Sequence, residues 1–162
     1  MTVRSLSQSV LREGKVMLAA IAFYGLLVAL PPSLWIEVRS IVVNSAPTPA
    51  EVTIKVDRSI HWPFDGIYSV TIRRVPGLQF VCTAQPPNAI RYRPGAQLPD
   101  PLSLSWWLGA PADLQRCEAQ GLGPGRYLIE TCYTVLRPFW GLVPSKHYCL
   151  DSPTYDIGVL VP

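Results

Sequence analysis

Leu122-Gly123-Pro124-Gly125-Arg126-Tyr127-Leu128-Ile129-Glu130-Thr131-Cys132-Tyr133-Thr134 is the stretch that decides the fold. Gly123-Pro124-Gly125 is turn chemistry, two flexible residues around one with a fixed φ. The period after it is two. Tyr127, Ile129, Thr131 and Tyr133 oppose Arg126, Glu130 and Thr134. Alternation of aromatic and β-branched residues with polar ones marks a half-buried strand.

The same period recurs outward from this stretch. Ile36, Val38, Ser40 and Val42 alternate with Glu37, Arg39 and Ile41. Val52, Ile54 and Val56 alternate with Thr53, Lys55 and Asp57; Tyr68, Val70 and Ile72 with Ser69, Thr71 and Arg73. Leu102, Leu104 and Trp106 alternate with Ser103 and Ser105, which puts Trp106 inside and Trp107 outward or under a loop. Short strands are also expected over 77–82 and 146–150, and a last one over 156–161. About seven short strands without a convincing helix between them predict an all-β, two-sheet antiparallel sandwich. Composition agrees: 17 of the 162 residues are proline, which excludes a mostly helical body. Charged residues are only 15%, which excludes a disordered chain, and a net charge of +3 gives no case for nucleic acid.

Leu122-Gly123-Pro124-Gly125-Arg126-Tyr127 resembles the L-x-P-G-x-Y approach to strand F in immunoglobulin-like and fibronectin-type-III sandwiches. That resemblance implies a tyrosine hydroxyl bonded to upstream backbone. Antibody domains carry a cysteine two residues after the tyrosine, whereas here Cys132 lies five residues on, so the likeness extends to the architecture alone.

Val16 to Ile36 is a run of 21 residues without a charge. Val16 to Leu30 is helical in character, and Pro31-Pro32 stops it. Fifteen helical residues span about 22 Å, short of a hydrocarbon core of roughly 30 Å. Winding back through Val10 and Leu11, with Arg12 and Lys15 snorkelling, would meet the deficit. Trp35 is then expected at the far headgroup level. Arg4, Arg12 and Lys15 precede the run, while the chain from Ile36 onward carries 11 basic and 10 acidic residues. Basic residues before the segment put the N-terminus inside. The expected organisation is a cytoplasmic tail over 1–12, a transmembrane signal anchor over 13–33 and an extracytoplasmic sandwich over 34–162. A cleaved signal peptide and a buried helix are the competing readings. Asn44-Ser45-Ala46 is a weak cleavage site and is followed by Pro47.

Cys82, Cys117, Cys132 and Cys149 lack the CxxC spacing of zinc ribbons and thioredoxin-like sites. In an extracytoplasmic domain they read as two disulfides, with three pairings open. A hairpin turning around Gly141–Ser145 would set Cys132 beside Cys149. Cys82 and Cys117 would then close the proline-rich loop Thr83–Pro101.

No nucleophile–base motif, zinc-binding HExxH or glycine-rich phosphate loop is present, so no catalytic residue, metal or cofactor is expected. His61 with Asp57 or Asp65 is the one conceivable hydrolytic pair, and an exposed loop histidine is the commoner state. Asp57-Arg58 reads as a strand-end salt bridge or turn contact. Trp62-Pro63-Phe64 and Pro138-Phe139-Trp140 are too apolar for free loops, and either fold back as small satellite clusters or stand out as aromatic anchors. They fall in the B–C and F–G connections, which share one end of a sandwich. Trp62, Phe64, Phe139 and Trp140 are therefore the candidate contact residues for a protein partner or the membrane surface.

Asp57-Arg58-Ser59-Ile60, Phe64-Asp65-Gly66-Ile67-Tyr68, Tyr92-Arg93-Pro94, Leu98-Pro99-Asp100-Pro101-Leu102, Trp106-Trp107, Pro124-Gly125-Arg126-Tyr127 and Pro144-Ser145-Lys146 follow one another in the chain. Together they resemble small uncharacterised single-pass membrane proteins of proteobacterial phages and prophages. The resemblance implies an anchored extracytoplasmic sandwich in the periplasm, and no activity. Cys132 and Cys149 are less typical of that group than Cys82 and Cys117. The function expected is a membrane-anchored, non-enzymatic interaction module at the bacterial inner membrane, binding an envelope or phage protein. Two alternatives stand beside it. One is an envelope glycan-binding or hydrolytic protein using the 83–101 loop. The other is a structural subunit that packs through its helix, where Ala19, Ala20, Ala22 and Gly25 permit close approach.

Overall fold

The computed structural model describes the backbone of residues 3–158 and side chains from Glu13 onward. Among the described residues nine strands form two sheets, with three α-helices. α1 spans Val3–Ala29. A 3-10 turn, Pro32–Leu34, leads into β1, Ile36–Asn44. β2 is Thr53–Ile60, β3 Phe64–Val75, β4 Gln79–Ala84 and β5 Ile90–Tyr92. β6 is Leu102–Ser103, followed by α2, Leu104–Leu108, and α3, Pro111–Ala119. β7 is Gly125–Leu136, β8 Lys146–Asp151 and β9 Tyr155–Ile157.

One sheet runs β1-β2-β6 and the other β4-β3-β7-β8, all antiparallel. The remaining two strands continue interrupted edges. β5 pairs with the start of β3 beyond β4, and β9 pairs with the start of β7 beyond β8. After β1 the chain crosses to the second sheet, where the Ala46 N–H donates to the Asp156 carbonyl (3.1 Å) and the Gly158 N–H to the Ala46 carbonyl (3.1 Å).

The core lies between the sheets. β3 contributes Phe64, Tyr68, Val70 and Ile72; β7 contributes Tyr127, Ile129, Thr131, Tyr133 and Val135. These are the faces that the alternation in both strands predicts. In β1 the prediction holds only at first. The register slips between Val38 and Ser40, a bulge that reverses the faces, so Ile41 and Val43 are buried and Val42 is exposed.

The expected strand over Leu102–Trp106 is the largest correction. It stops after two residues, because the Ser103 hydroxyl accepts from the Trp106 N–H (3.2 Å) and caps α2. The faces of the tryptophans invert: Trp107 is 1% exposed and Trp106 45%. The Trp107 indole N–H donates to the buried Thr131 hydroxyl (3.2 Å). α3 starts with Pro111 in its first turn and buries Leu114 and Cys117. The expected long loop is also partly strand, since β5 lies within it. Of the expected last strand over 156–161, only its first part is seen, and 159–161 lie outside the described residues.

Both disulfides form in the expected pairing. Cys82–Cys117 ties β4 to α3 inside the core, and Cys132–Cys149 joins directly paired residues of β7 and β8 on the outer face. The N-terminal helix departs from expectation. It stops at Ala29, just ahead of the two prolines as expected, but among the described residues no helix is long and apolar enough to cross a membrane, so the anchor expected over 13–33 is not seen as a full span. Trp35 is not a headgroup residue; it is buried in the core. Val10, Leu11 and Arg12 carry side chains outside the described residues.

Candidate interaction surface

The connections β2–β3 and β7–β8 meet at one end of the sandwich, because Asp65 at the start of β3 pairs with Leu136 at the end of β7. The β2–β3 connection is only His61–Pro63, so Phe64 is the first residue of a strand rather than a loop residue. A hollow of about 860 Å³ opens here, lined among others by Trp35, Trp62, Phe64, Arg91, Phe139 and Trp140. All four residues singled out in the sequence line it.

They divide into two pairs. Phe64 is 4% exposed and stacks on Tyr92, with ring centroids 4.6 Å apart. Gly66 leaves space for that ring, since a Cβ there would lie 2.6 Å from Phe64 and 2.8 Å from the Thr134 carbonyl oxygen. Phe139 is half-buried and meets Trp35 edge-on at 5.6 Å. Phe64 and Phe139 therefore belong to the domain's packing and cannot serve as free contacts. Trp62 and Trp140 project, at 56% and 97% exposure, and Leu142 in the same connection as Trp140 is exposed too.

The β7–β8 connection holds Trp140 outward at a cost. Arg137, Phe139 and Trp140 all have positive φ, at 43°, 52° and 56°. Left-handed backbone is disfavoured for residues with a Cβ, by about 1–2 kcal/mol each. The Gly141 N–H donates to the Arg137 carbonyl (3.1 Å) and the Leu142 N–H to that of Phe139 (3.1 Å), which fixes the turn.

α1 reaches the domain at this same end. β1 begins at Ile36, opposite Ile60 at the end of β2. Leu30 and Leu34 pack against the core, and the Lys146 ammonium donates to the Val28 carbonyl. The exposed tryptophans and the C-terminal end of the helix are thus neighbours. Sequence reasoning missed Trp35 as the floor of the hollow; its place after two prolines made it look like part of the helix exit.

No catalytic arrangement emerges from the histidines. His61 lies 3.5 Å from Glu37, both exposed, while Asp65 is taken by Arg91 (2.9 Å) and Asp57 lies 4.0 Å from Arg39. His147 Nδ1 is 3.0 Å from the Thr134 hydroxyl. Glu130, Cys132 and Cys149 come within ligand range of one another, but the sulfurs are bonded together and Glu130 holds Arg73 at 2.8 Å. That cluster offers a metal no free thiolate. No family model and no curated protein matches the chain.

Proposed function

We propose that the chain is a non-enzymatic interaction module of fibronectin-type-III-like architecture, tethered by α1 to the outer face of a bacterial inner membrane. The observation that carries this reading is the helix. Met17, Leu18, Ile21, Phe23 and Leu26 are all exposed, and at 100° per residue they lie around the helix rather than along one stripe. Leaving such side chains in water costs about 1.5–3 kcal/mol each relative to burial. Five together approach the stability of a whole domain. A lipid environment removes that cost. The apolar stretch falls short of a full span, and local thinning with Lys15 snorkelling closes a gap of this size.

Other features support the same reading. The orders β1-β2-β6 and β4-β3-β7-β8 match A-B-E and C′-C-F-G of a fibronectin-type-III sandwich. Two disulfides suit an oxidising compartment. The basic residues before the apolar run favour a cytoplasmic N-terminus. Because α1 leaves beside Trp62 and Trp140, these residues sit at headgroup level, as tryptophans at bilayer interfaces do. Of the two contacts expected of this end, a protein partner or the membrane surface, it meets lipid first. An envelope or phage protein partner, in keeping with the resemblance to phage membrane proteins, meets the rest of the sandwich.

Reconstitution of the full chain into phosphatidylcholine–phosphatidylglycerol vesicles brominated near the headgroups tests this. The chain is expected to float with the vesicles, and the emission that Trp140→Phe removes is expected to be quenched. A chain left in the aqueous fraction contradicts the tether. A floating chain with unquenched Trp140 contradicts the seating at the interface.

A further inference from the structure

Arg58 has a different place from the strand-end contact its sequence suggests. It lies within β2 on the face that buries Ile54 and Ile60, so it points between the sheets. Its guanidinium sits over the Tyr92 ring, 5.4 Å from the centroid. Among the described residues no carboxylate pairs with it, and its Nε is buried without a hydrogen-bond partner. The buried hydroxyls of Tyr92 and Tyr133 make no hydrogen bond of good geometry either, although the Arg58 guanidinium lies near enough to Tyr133 to interact with its oxygen; the two rings are 6.4 Å apart. Buried polar atoms in native proteins are ordinarily satisfied, so two hydroxyls and the Nε of a half-buried guanidinium left together call for an explanation.

All three residues line one cavity of about 270 Å³, whose walls include Tyr68, Trp107 and Leu98. The gap exists because β6 is short. It pairs with β2 only at Thr53 and Ile54; β1 runs along the other edge of β2, and among the described residues no strand lies on the β6 edge from Lys55 to Ile60. A strap, Gly95–Asp100, runs there instead, tied to β2 by the ion pair Lys55–Asp100 (2.8 Å). Ala96 to Pro99 line the cavity on one side and an open groove of about 450 Å³ along β2 on the other, and Arg58 reaches both. The strap is thus the wall between the cavity and the groove.

We infer that this cavity is a binding site for a small organic carboxylate with a flat apolar body. Arg58 takes the carboxylate, the Tyr92 and Tyr133 hydroxyls donate to it, and Tyr68 and Trp107 flank the body. The chemistry of the lining selects the ligand. The orphaned groups include a cation and two hydroxyls that can donate, with no anion among them, so an anionic acceptor completes them. Burial pushes the Tyr133 hydroxyl up to about 12 and Tyr92 further in the same direction, which keeps both as donors at neutral pH. One guanidinium matches one planar carboxylate, whereas a phosphate dianion would stay half-neutralised among aromatic walls. The site does not depend on the membrane tether.

The test uses the full chain in detergent micelles, with benzoate as probe and chloride to hold ionic strength. Benzoate is expected to raise the unfolding midpoint progressively with concentration, as a ligand of the native state does. Benzamide, of the same shape without charge, and inorganic phosphate are expected to leave it unchanged. Arg58→Met is expected to fold and to lose the benzoate response. Tyr133→Phe is expected to need about tenfold more benzoate, the loss of one charge-assisted hydrogen bond. Arg58 serving only to cap the Tyr92 ring would give no benzoate response in the wild type. That result overturns the assignment, as does an equal shift with benzamide or phosphate, or a Tyr133→Phe response equal to wild type.

Discussion

The Tyr127 hydroxyl donates to the Gly123 carbonyl, four residues upstream, at 2.8 Å. The same oxygen accepts from the Gly123 N–H (3.3 Å) and from Arg74 (3.0 Å). One phenol oxygen thereby joins the turn before β7, the strand itself and the end of β3. Tyr127→Phe removes all three bonds and leaves the ring in place. It is expected to lower stability by about 1–3 kcal/mol in urea unfolding. An unchanged midpoint would show that the corner is not a source of stability.

The two disulfides are expected to differ in accessibility and in worth. Cys82–Cys117 closes a separation of 35 residues in the core, and Cys132–Cys149 one of 17 with Cys149 exposed. Chain entropy predicts losses of about 4 and about 3 kcal/mol on replacing each pair by alanine. Mild reduction followed by alkylation and mass spectrometry is expected to label Cys132 and Cys149 first. Labelling of Cys82 at an equal rate would contradict the burial of that bridge.

Trp107→Ala is expected to cost about 3–5 kcal/mol, as truncation of a buried aromatic does, and Trp106→Ala less than about 1 kcal/mol. A larger loss for Trp106→Ala than for Trp107→Ala in thermal unfolding would favour a continued strand over the α2 helix.

Alkaline pH is expected to unfold the domain through its buried tyrosines. Burial raises the pKa of Tyr92, Tyr133 and Tyr155 above the ordinary 10.0, to about 12 for Tyr133. Below the unfolded value both states hold the proton, and the stability is fully present. Above it only the folded state does, so stability falls as pH climbs from about 10 through the folded values. Three such groups remove up to about 4 kcal/mol per pH unit. Tyrosinate absorbance and loss of fold are expected to rise together over that range. Tyrosine ionisation complete before any unfolding would contradict the burial.

The long central strands were legible because their environment is uniform: β3 and β7 pair with each other along most of their length, so their alternation survives. In β1 the Ile41-Val42-Val43 run fits either face, and only the bulge at Arg39 chooses. Leu102-Ser103-Leu104-Ser105-Trp106 alternates like a strand, yet Ser103 is also a helix cap, and the burial of Trp107 against Thr131 settles the competition by tertiary contact. Trp62, Phe64, Phe139 and Trp140 could be grouped from strand order alone. That Phe64 and Phe139 face inward depends on Tyr92 and Trp35, whose positions no local pattern gave away. Arg58 was least legible, since a charged residue in a strand predicts an outward side chain, and its inward aim follows only from the parity of β2.

The central claim is that α1 tethers a disulfide-bonded sandwich on the far side of the membrane. Alkaline phosphatase, which is active only outside the cytosol, is fused after Pro162, and the product is fractionated and sized. The account predicts an active, full-length fusion in the membrane fraction. An inactive fusion, or an active but shortened one in the soluble fraction, would contradict it.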